Sequence, residues 1–297
     1  MKPLFYCDHH EIPLPPGHRF PARKYRMLRD LLSAEGEGTF EFVAAPAADP
    51  ADIALVHEPA YVEAFMNGTL DAAAVRRIGF PWSEGLVRRT LASVGGTLAA
   101  TREALDTGWG GTLAGGTHHA FPDAGAGFCV FNDFAVAIAM AGLRAAVIDL
   151  DVHQGDGTAV FFADDPDVFT LSLHGAHNFP FRKQRSTLDV AFEDDTEDAE
   201  YLDGLAAALP RVVEFAPAIV FYQAGVDSLR EDTLGRLKLT PGGLAQRDRI
   251  VFETIRSMGV PAVVTLGGGY ADPIERTAEA HARTFVAAAR WLAEVAR

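Results

Sequence analysis

The run Ala145-Ala146-Val147-Ile148-Asp149-Leu150-Asp151-Val152-His153 decides how the rest of the chain is read. It opens as a buried apolar strand and ends in three ionisable side chains at every second position. Side chains alternate faces along a strand, so Asp149, Asp151 and His153 are expected on one side, at the carboxyl edge where open α/β sheets place their ligands. Buried carboxylates are costly unless a positive charge sits between them, and a metal ion meets that need. The competing reading makes these residues N-cap and turn positions at an ordinary strand-to-helix junction. The period-two spacing, with Asp156 following in a Gly-rich turn, favours the metal.

Further apolar runs resemble this one. PLFYC near residue 3, TFEFVA near 39, GTLAGG near 111, FTLSLH at 169–174, AIVFYQAG at 218–225 and AVVTLGG at 262–268 read as strands, with AAVIDLD at 145–151 among them. Helical patterns lie between them: Ala22 to Ala34, Ser83 to Thr107, Asn132 to Ala141, Asp198 to Phe215, Pro241 to Met258 and Pro273 to Ala296. Strands alternating with helices predict a single-domain three-layer α/β/α fold around a mostly parallel sheet, over residues 1–297. The stretch GGTHHAFPDAGAGFCV at 115–130 reads as a long loop, and long loops in compact domains usually carry function. The acidic run Glu193 to Asp198 reads as a solvated loop before a helix. No repeat, low-complexity tract or linker divides the chain.

The composition bounds the function. The 297 residues are 48% hydrophobic and 22% charged, which suits a soluble globular protein. Two cysteines, Cys7 and Cys129, make no disulfide framework and fit a reducing, cytoplasmic setting. The opening MKPLFYCDHHEIPLPPGH is too short in apolar residues for a signal peptide, and no run reaches the roughly 18 apolar residues of a membrane span. A net charge of -14 without a basic stripe disfavours nucleic acid and is more compatible with a cationic substrate.

Three other segments share the placement of the first. Asp227 follows the strand AIVFY; with Asp151 and His153 it gives two carboxylates and one imidazole, a set that leaves a coordination position open for activating water, unless Asp227 is a simple turn residue. His118 and His119 follow another strand and are open to three readings: ligands, a general base with an electrostatic partner, or neither. Asp149 and Asp156 are two carboxylates that can each orient one imidazole. In Gly267-Gly268-Gly269-Tyr270 the glycines admit a ligand close to the backbone and the phenol can donate to an oxyanion, although a lone GGGY also suits a loop into the last helix.

Taken together, GGTHHA at 115–120, GAGFCVFND at 125–133, IDLDVHQGDGTA at 148–159, SLH at 172–174, QAGVD at 223–227 and GGGY at 267–270 resemble the histone deacetylase family over nearly the whole chain. That family has the arginase/deacetylase fold. VHQGDG, LGRLKLTPGGL at 234–244 and the compact length are most similar to the class IV, eleven-type branch and its bacterial relatives. Two positions depart from the class I pattern: Gln154 stands where a second histidine is usual, and Phe181 follows Pro180 where glycine is common.

The resemblance implies a hydrolase that removes an acyl group from the ε-amine of acyl-lysine. It implies Asp151, His153 and Asp227 as ligands of a catalytic zinc, a set that also accepts iron(II) or cobalt(II). It implies His119 as general base and acid, His118 as an electrostatic partner, Asp149 and Asp156 as their carboxylates, and Tyr270 as oxyanion donor. Gly127, Phe128, Phe179 and Gly268 would line the substrate channel. A structural potassium ion would lie near Asp149, Asp151, His153, Ser172 and Leu173. The narrow apolar tube suits an extended acyl-lysine of a protein as well as a small acylated amine, and the class IV likeness extends the range to acyl groups longer than acetyl. Rival readings are a ureohydrolase with two manganese ions, which lacks its DAHxD-type partner sequence here, and a non-catalytic regulatory protein that keeps the pocket. Nothing in the sequence reads out the oligomeric state.

Overall fold

The structure is a computed structural model describing residues 1–35 and 38–292. Eight strands form one sheet: β1 (Lys2–Tyr6), β2 (Phe40–Ala44), β3 (Trp109–Thr112), β4 (Ala145–Asp149), β5 (Val168–Gly175), β6 (Leu188–Phe192), β7 (Ile219–Gln223) and β8 (Ala262–Thr265), in the order β2-β1-β3-β8-β7-β4-β5-β6. Every pairing between them is parallel. All carboxyl ends therefore lie along one edge, and the loops after the neighbouring strands β3, β8, β7 and β4 meet there.

The interior strands are apolar throughout because both faces are covered. Period two sorts their side chains into two layers. Ala146, Ile148, Val220, Tyr222 and Val264 enter one core, which is covered by α1 (Arg23–Glu35), α8 (Asp198–Phe215), α9 (Pro241–Met258) and α10 (Glu275–Trp291). Val147, Ile219, Phe221 and Val263 enter the other, under α5 (Glu84–Thr107) and α6 (Asp133–Ala141). The three-layer expectation holds, and the sheet is wholly parallel.

Helix starts follow capping chemistry. Ser83 and Asn132 accept backbone N–H bonds from Leu86 and Ala135 at 3.0 Å each, so both are caps and not first-turn residues. The last helix begins at Glu275, two residues past the expected Pro273, and its expected reach to Ala296 runs beyond the described residues. Not foreseen are the edge strand β6 and the short helices α2 (Pro50–Ile53), α3 (Pro59–Met66), α4 (Ala72–Ile78) and α7 (Asp156–Phe161). The acidic run is a loop, as expected, and Asp198 closes it by accepting from Thr240 N–H at 2.8 Å and its hydroxyl at 2.6 Å.

Candidate active site

The alternation expected from Asp149 to His153 does not hold. Strand β4 stops at Asp149, so Asp151 and His153 are not at alternate positions of a continuous strand. Hydrogen bonds curl the loop and bring them together. Asp149 Oδ1 accepts from Asp151 N–H at 3.1 Å, Asp151 Oδ1 from His153 N–H at 3.0 Å, and Asp227 Oδ1 from Val152 N–H at 2.9 Å. Leu150 and Val152 point the other way into the core.

The result joins Asp151, His153 and Asp227 in one cluster whose ligand atoms all lie within 4.8 Å of one another. His153 Nδ1 sits 2.9 Å from Asp151 Oδ1 and 3.1 Å from Asp227 Oδ2. Both carboxylates are buried, and Asp151 Oδ2 also accepts from Gly268 N–H at 2.7 Å and Gln223 Nε2 at 2.8 Å. Burial and then the Asp151 charge push the Asp227 carboxyl up to about 7. Burial opposes the His153 cation, yet bonds to the two carboxylates raise it to about 10. Each carboxylate therefore calls for a positive charge at the same point. One imidazole and two carboxylates with an open side fit a single divalent ion. Glycines allow the close packing: a Cβ on Gly225 or Gly268 would run into these carboxylates.

The histidine pair sits beside this cluster, after β3. Asp133 holds the preceding turn by accepting from Gly116 N–H at 2.9 Å and Thr117 N–H at 2.8 Å. His118 Nδ1 lies 2.7 Å from Asp149 Oδ2, and His119 Nδ1 lies 2.6 Å from Asp156 Oδ1. Both rings are buried, with centroids 4.0 Å apart. Their protonation diverges. Burial pulls His118 down, but Asp149 and Asp151 outweigh it and hold it up at about 9. Burial and then the charge on His118 lower His119 to about 4, against Asp156. At neutral pH His118 is a cation and His119 is a neutral imidazole, a division of roles that suits acid–base chemistry.

Tyr270 closes the opposite side. Its N–H donates to Asp232 Oδ2 at 2.6 Å, and burial followed by the charges of Asp227 and Asp151 raises its phenol well above the usual range. The hydroxyl thus stays protonated and available as a donor. Beneath the glycine turn lies a residue that the sequence did not disclose: Lys24, from α1. It is buried, its Nζ reaches Gly269 O at 3.2 Å and stands 5.1 Å from the Tyr270 ring centroid, and burial lowers it to about 8. A lysine on an amphipathic helix carries no sequence signal of such a position. Gln223 in QAGVD and Asp133 in GAGFCVFND likewise carry no local spacing that marks their roles.

A cleft of about 580 Å³ leads from the surface to this floor, and Gly127, Phe128, Phe179 and Gly268 all line it. Gly127 and Phe128 take left-handed backbone angles, φ +52° and +66°, and hydrogen-bond to Arg77 O and Ile78 O at the end of α4. A Cβ on Gly127 would stand 2.7 Å from the His119 ring. Phe179 meets His119 edge-on at 4.9 Å, and Phe128 lies 6.2 Å from Tyr270. Phe181 stands 85% exposed at the mouth. Gln154 is turned away: it donates to Gln184 O and Asp189 Oδ1, both at 2.8 Å, and ties down the 184–189 segment. Of the residues expected near potassium, Asp149 and Ser172 are register partners across β4 and β5, Leu173 lies in the core, and Asp151 and His153 belong to the cluster above.

Comparisons with known proteins show the family. The sequence profile of the histone deacetylase domain matches residues 18–285. An uncharacterised protein of Picosynechococcus sp. is 48% identical over 279 residues, covering 92% of this chain and 93% of its own. Histone deacetylase 2 of Arabidopsis thaliana is 32% identical over 273 residues, covering 85% and 70%. Acetoin utilization protein AcuC of Bacillus subtilis is 30% identical over 287 residues, covering 85% and 73%. The crystal structure of acetylpolyamine aminohydrolase from Burkholderia pseudomallei superposes with a TM-score of 0.79 at 22% identity, covering 96% of this chain and 98% of that one. At that identity the likeness speaks for the fold.

Proposed function

The chain belongs to the histone deacetylase family, and from that premise we propose that it is a metal-dependent amidohydrolase that removes acetyl or longer acyl groups from the ε-amine of acyl-lysine. The observation that carries this reading is the pair of buried imidazoles, each with its Nδ1 on a carboxylate, at the edge of a buried cluster of two carboxylates and one imidazole. Asp151, His153 and Asp227 would hold the ion, zinc in this reading and with iron(II) or cobalt(II) suited to the same oxygen-rich set. When bound there, a divalent ion supplies polarisation of an amide carbonyl and a lowered pKa for water.

The protein's own groups supply the rest. His119 Nδ1–H donates a hydrogen bond to the Asp156 carboxylate, which leaves Nε2 as the basic atom to take a proton from the attacking water. The same nitrogen returns that proton to the leaving amine as the carbon–nitrogen bond breaks, giving a carboxylic acid and a free amine. His118 stays charged against Asp149 and stabilises negative charge in the transition state, and the Tyr270 phenol donates to the developing oxyanion. Phe128 and Phe179 hold an extended alkyl stem in a narrow tube and exclude water from it. A potassium ion beside Asp149 and Ser172 would brace the loop that carries Asp151 and His153.

We take the chain as one catalytic domain working in a reducing cytoplasm, consistent with two free, buried thiols. Among the described residues no helix is long and apolar enough to cross a membrane. A small acylated amine remains the alternative substrate. Turnover of lysine peptides bearing graded acyl lengths, run beside acetylated polyamines, tests the reading; equal and negligible rates across that panel refute it.

A further inference from the structure

The charge at the mouth of the cleft opposes the charge of the chain. Overall there are 40 acidic residues against 26 lysines and arginines. Among the described residues that line the cleft, the order is reversed: Arg19, Arg76, Arg77 and Arg236 are there, and Asp151 is the only carboxylate. Asp151 is buried at the floor within the cluster, whereas the four arginines are exposed at the surface end. A whole-chain balance of -14 therefore describes the wrong place when it favours a cationic substrate.

The arginines differ in how far they are already engaged. Arg77 donates through Nε to Gly125 O at 3.2 Å, which fixes it against the loop that carries Gly127 and Phe128. Arg236 pairs with Asp194 at 3.1 Å, and His177 meets the same carboxylate at 3.3 Å, so that side of the mouth is partly neutralised. Arg19 and Arg76 have no ion pair or side-chain hydrogen bond among the described residues. Asp272 borders a neighbouring hollow that Arg19 also reaches, without pairing to it. Two unpaired guanidinium groups at the mouth of a cleft are a ready match for carboxylates, which they engage bidentately.

The geometry points to a substrate that carries a carboxylate on its amine side, at the mouth end of the stem that leads to the scissile amide. This rests on the deacylase reading, in which the acyl end is at the floor and the amine side leaves through the mouth. A polyamine places cationic nitrogens among the arginines and is disfavoured. The carboxylate can come from acidic residues flanking the lysine in a peptide or from the α-carboxylate of the free acylated amino acid, and the test separates these sources.

The experiment compares kcat/KM for one acetyl-lysine peptide flanked by Asp, by Asn or by Lys, for Nε-acetyl-lysine with a free or an amidated carboxyl, and for N-acetylputrescine. Exposed ion pairs each shift affinity by about 1.5- to 5-fold, so the acidic peptide should exceed the neutral one by about 5- to 10-fold at low salt, mainly through KM. The lysine-flanked peptide and N-acetylputrescine should fall below it. The preference should shrink toward unity near 1 M salt, where the screening length is about 3 Å. Arg19→Gln combined with Arg76→Gln should bring the acidic-to-neutral ratio below about 2. Equilibrium binding of the same peptides to Tyr270→Phe protein, read by fluorescence anisotropy, gives the order independently of turnover. Turnover without a charge order, in rate and in binding, overturns this inference and leaves the deacylase reading standing. A charge order in binding with no turnover of any substrate by the unaltered enzyme does the opposite.

Discussion

Replacing Asp156 by Asn removes a charge from behind His119 while keeping an oxygen for its Nδ1–H. The carboxylate is buried, lies 2.6 Å from that nitrogen and also accepts from Gly157 N–H at 3.0 Å, both of which the amide oxygen can still serve. What is lost is the charge assistance when His119 becomes an imidazolium in the transition state. A hydrogen bond to a charged group contributes about 1.5–3 kcal/mol and a neutral one about 0.5–1.5, so the variant loses about 1–1.5 kcal/mol there. At about 1.4 kcal/mol per tenfold that is roughly a 10-fold fall in kcat, and looser ring orientation extends it toward 100-fold. The assay is steady-state turnover of an acetyl-lysine peptide with metal content and thermal unfolding measured in parallel. KM, metal content and melting temperature should change little. Unchanged kcat would refute the view that Asp156 supports a proton transfer at His119, and loss of metal would show that it acts on the cation site instead.

Tyr270→Phe should lower kcat by about 10²- to 10³-fold with folding intact, as expected for one lost oxyanion donor, and undiminished turnover removes Tyr270 from the chemistry. The pH dependence of kcat/KM should show an acid limb below 6.5, where His119 takes up its proton on the way to about 4, and an alkaline limb as pH rises toward about 9 and His118 loses its charge; an acid limb above 6.5 contradicts the neutral assignment of His119. His57, outside the site, is buried, accepts from Asn132 N–H at 2.9 Å through Nε2, and is lowered by burial from 6.5 to about 4. The unfolded chain binds the extra proton first, so stability is full above about 6.5 and is lost as pH falls toward 4, by at most about 3 kcal/mol. In urea unfolding the advantage of the wild type over His57→Gln should narrow across that window, and a constant difference refutes the assignment.

The fold was legible where physics acts locally. Fully buried parallel strands must be apolar on both faces, and Ala145 to Ile148, Ile219 to Tyr222 and Ala262 to Val264 announce themselves for that reason. The edge strand β6 does not, because its exposed Asp189 breaks the apolar run and only β5 pairs with it. Short helices such as α4 fall below the length at which a 3.6-residue period can be recognised, and α7 opens in a Gly-rich stretch that reads as a turn.

At the site, the ionisable residues were legible by type and by their place after strands, but the reason for their convergence was not. A strand continued to Asp151 would present its side chains by alternation; the chain instead leaves the sheet at Asp149 and is curled by side-chain acceptors from Asp149, Asp151 and Asp227. The bond from Val152 N–H to Asp227 spans 75 residues, so no local pattern records it. Lys24 is hidden for the same reason, since its partners Gly267 and Gly269 are reached only in the folded chain. Net charge does not report local charge, because the arginines at the cleft come from the segment before α1, from α4 and from the loop before α9.

The most direct test is the metal content of protein purified without air, for the wild type and for Asp227→Asn, which keeps an oxygen to accept from Val152 N–H. One divalent ion per wild-type chain, lost in the variant while circular dichroism stays unchanged, is the expected outcome. Two ions per chain, or a full complement in the variant, would contradict a single cation held by Asp151, His153 and Asp227.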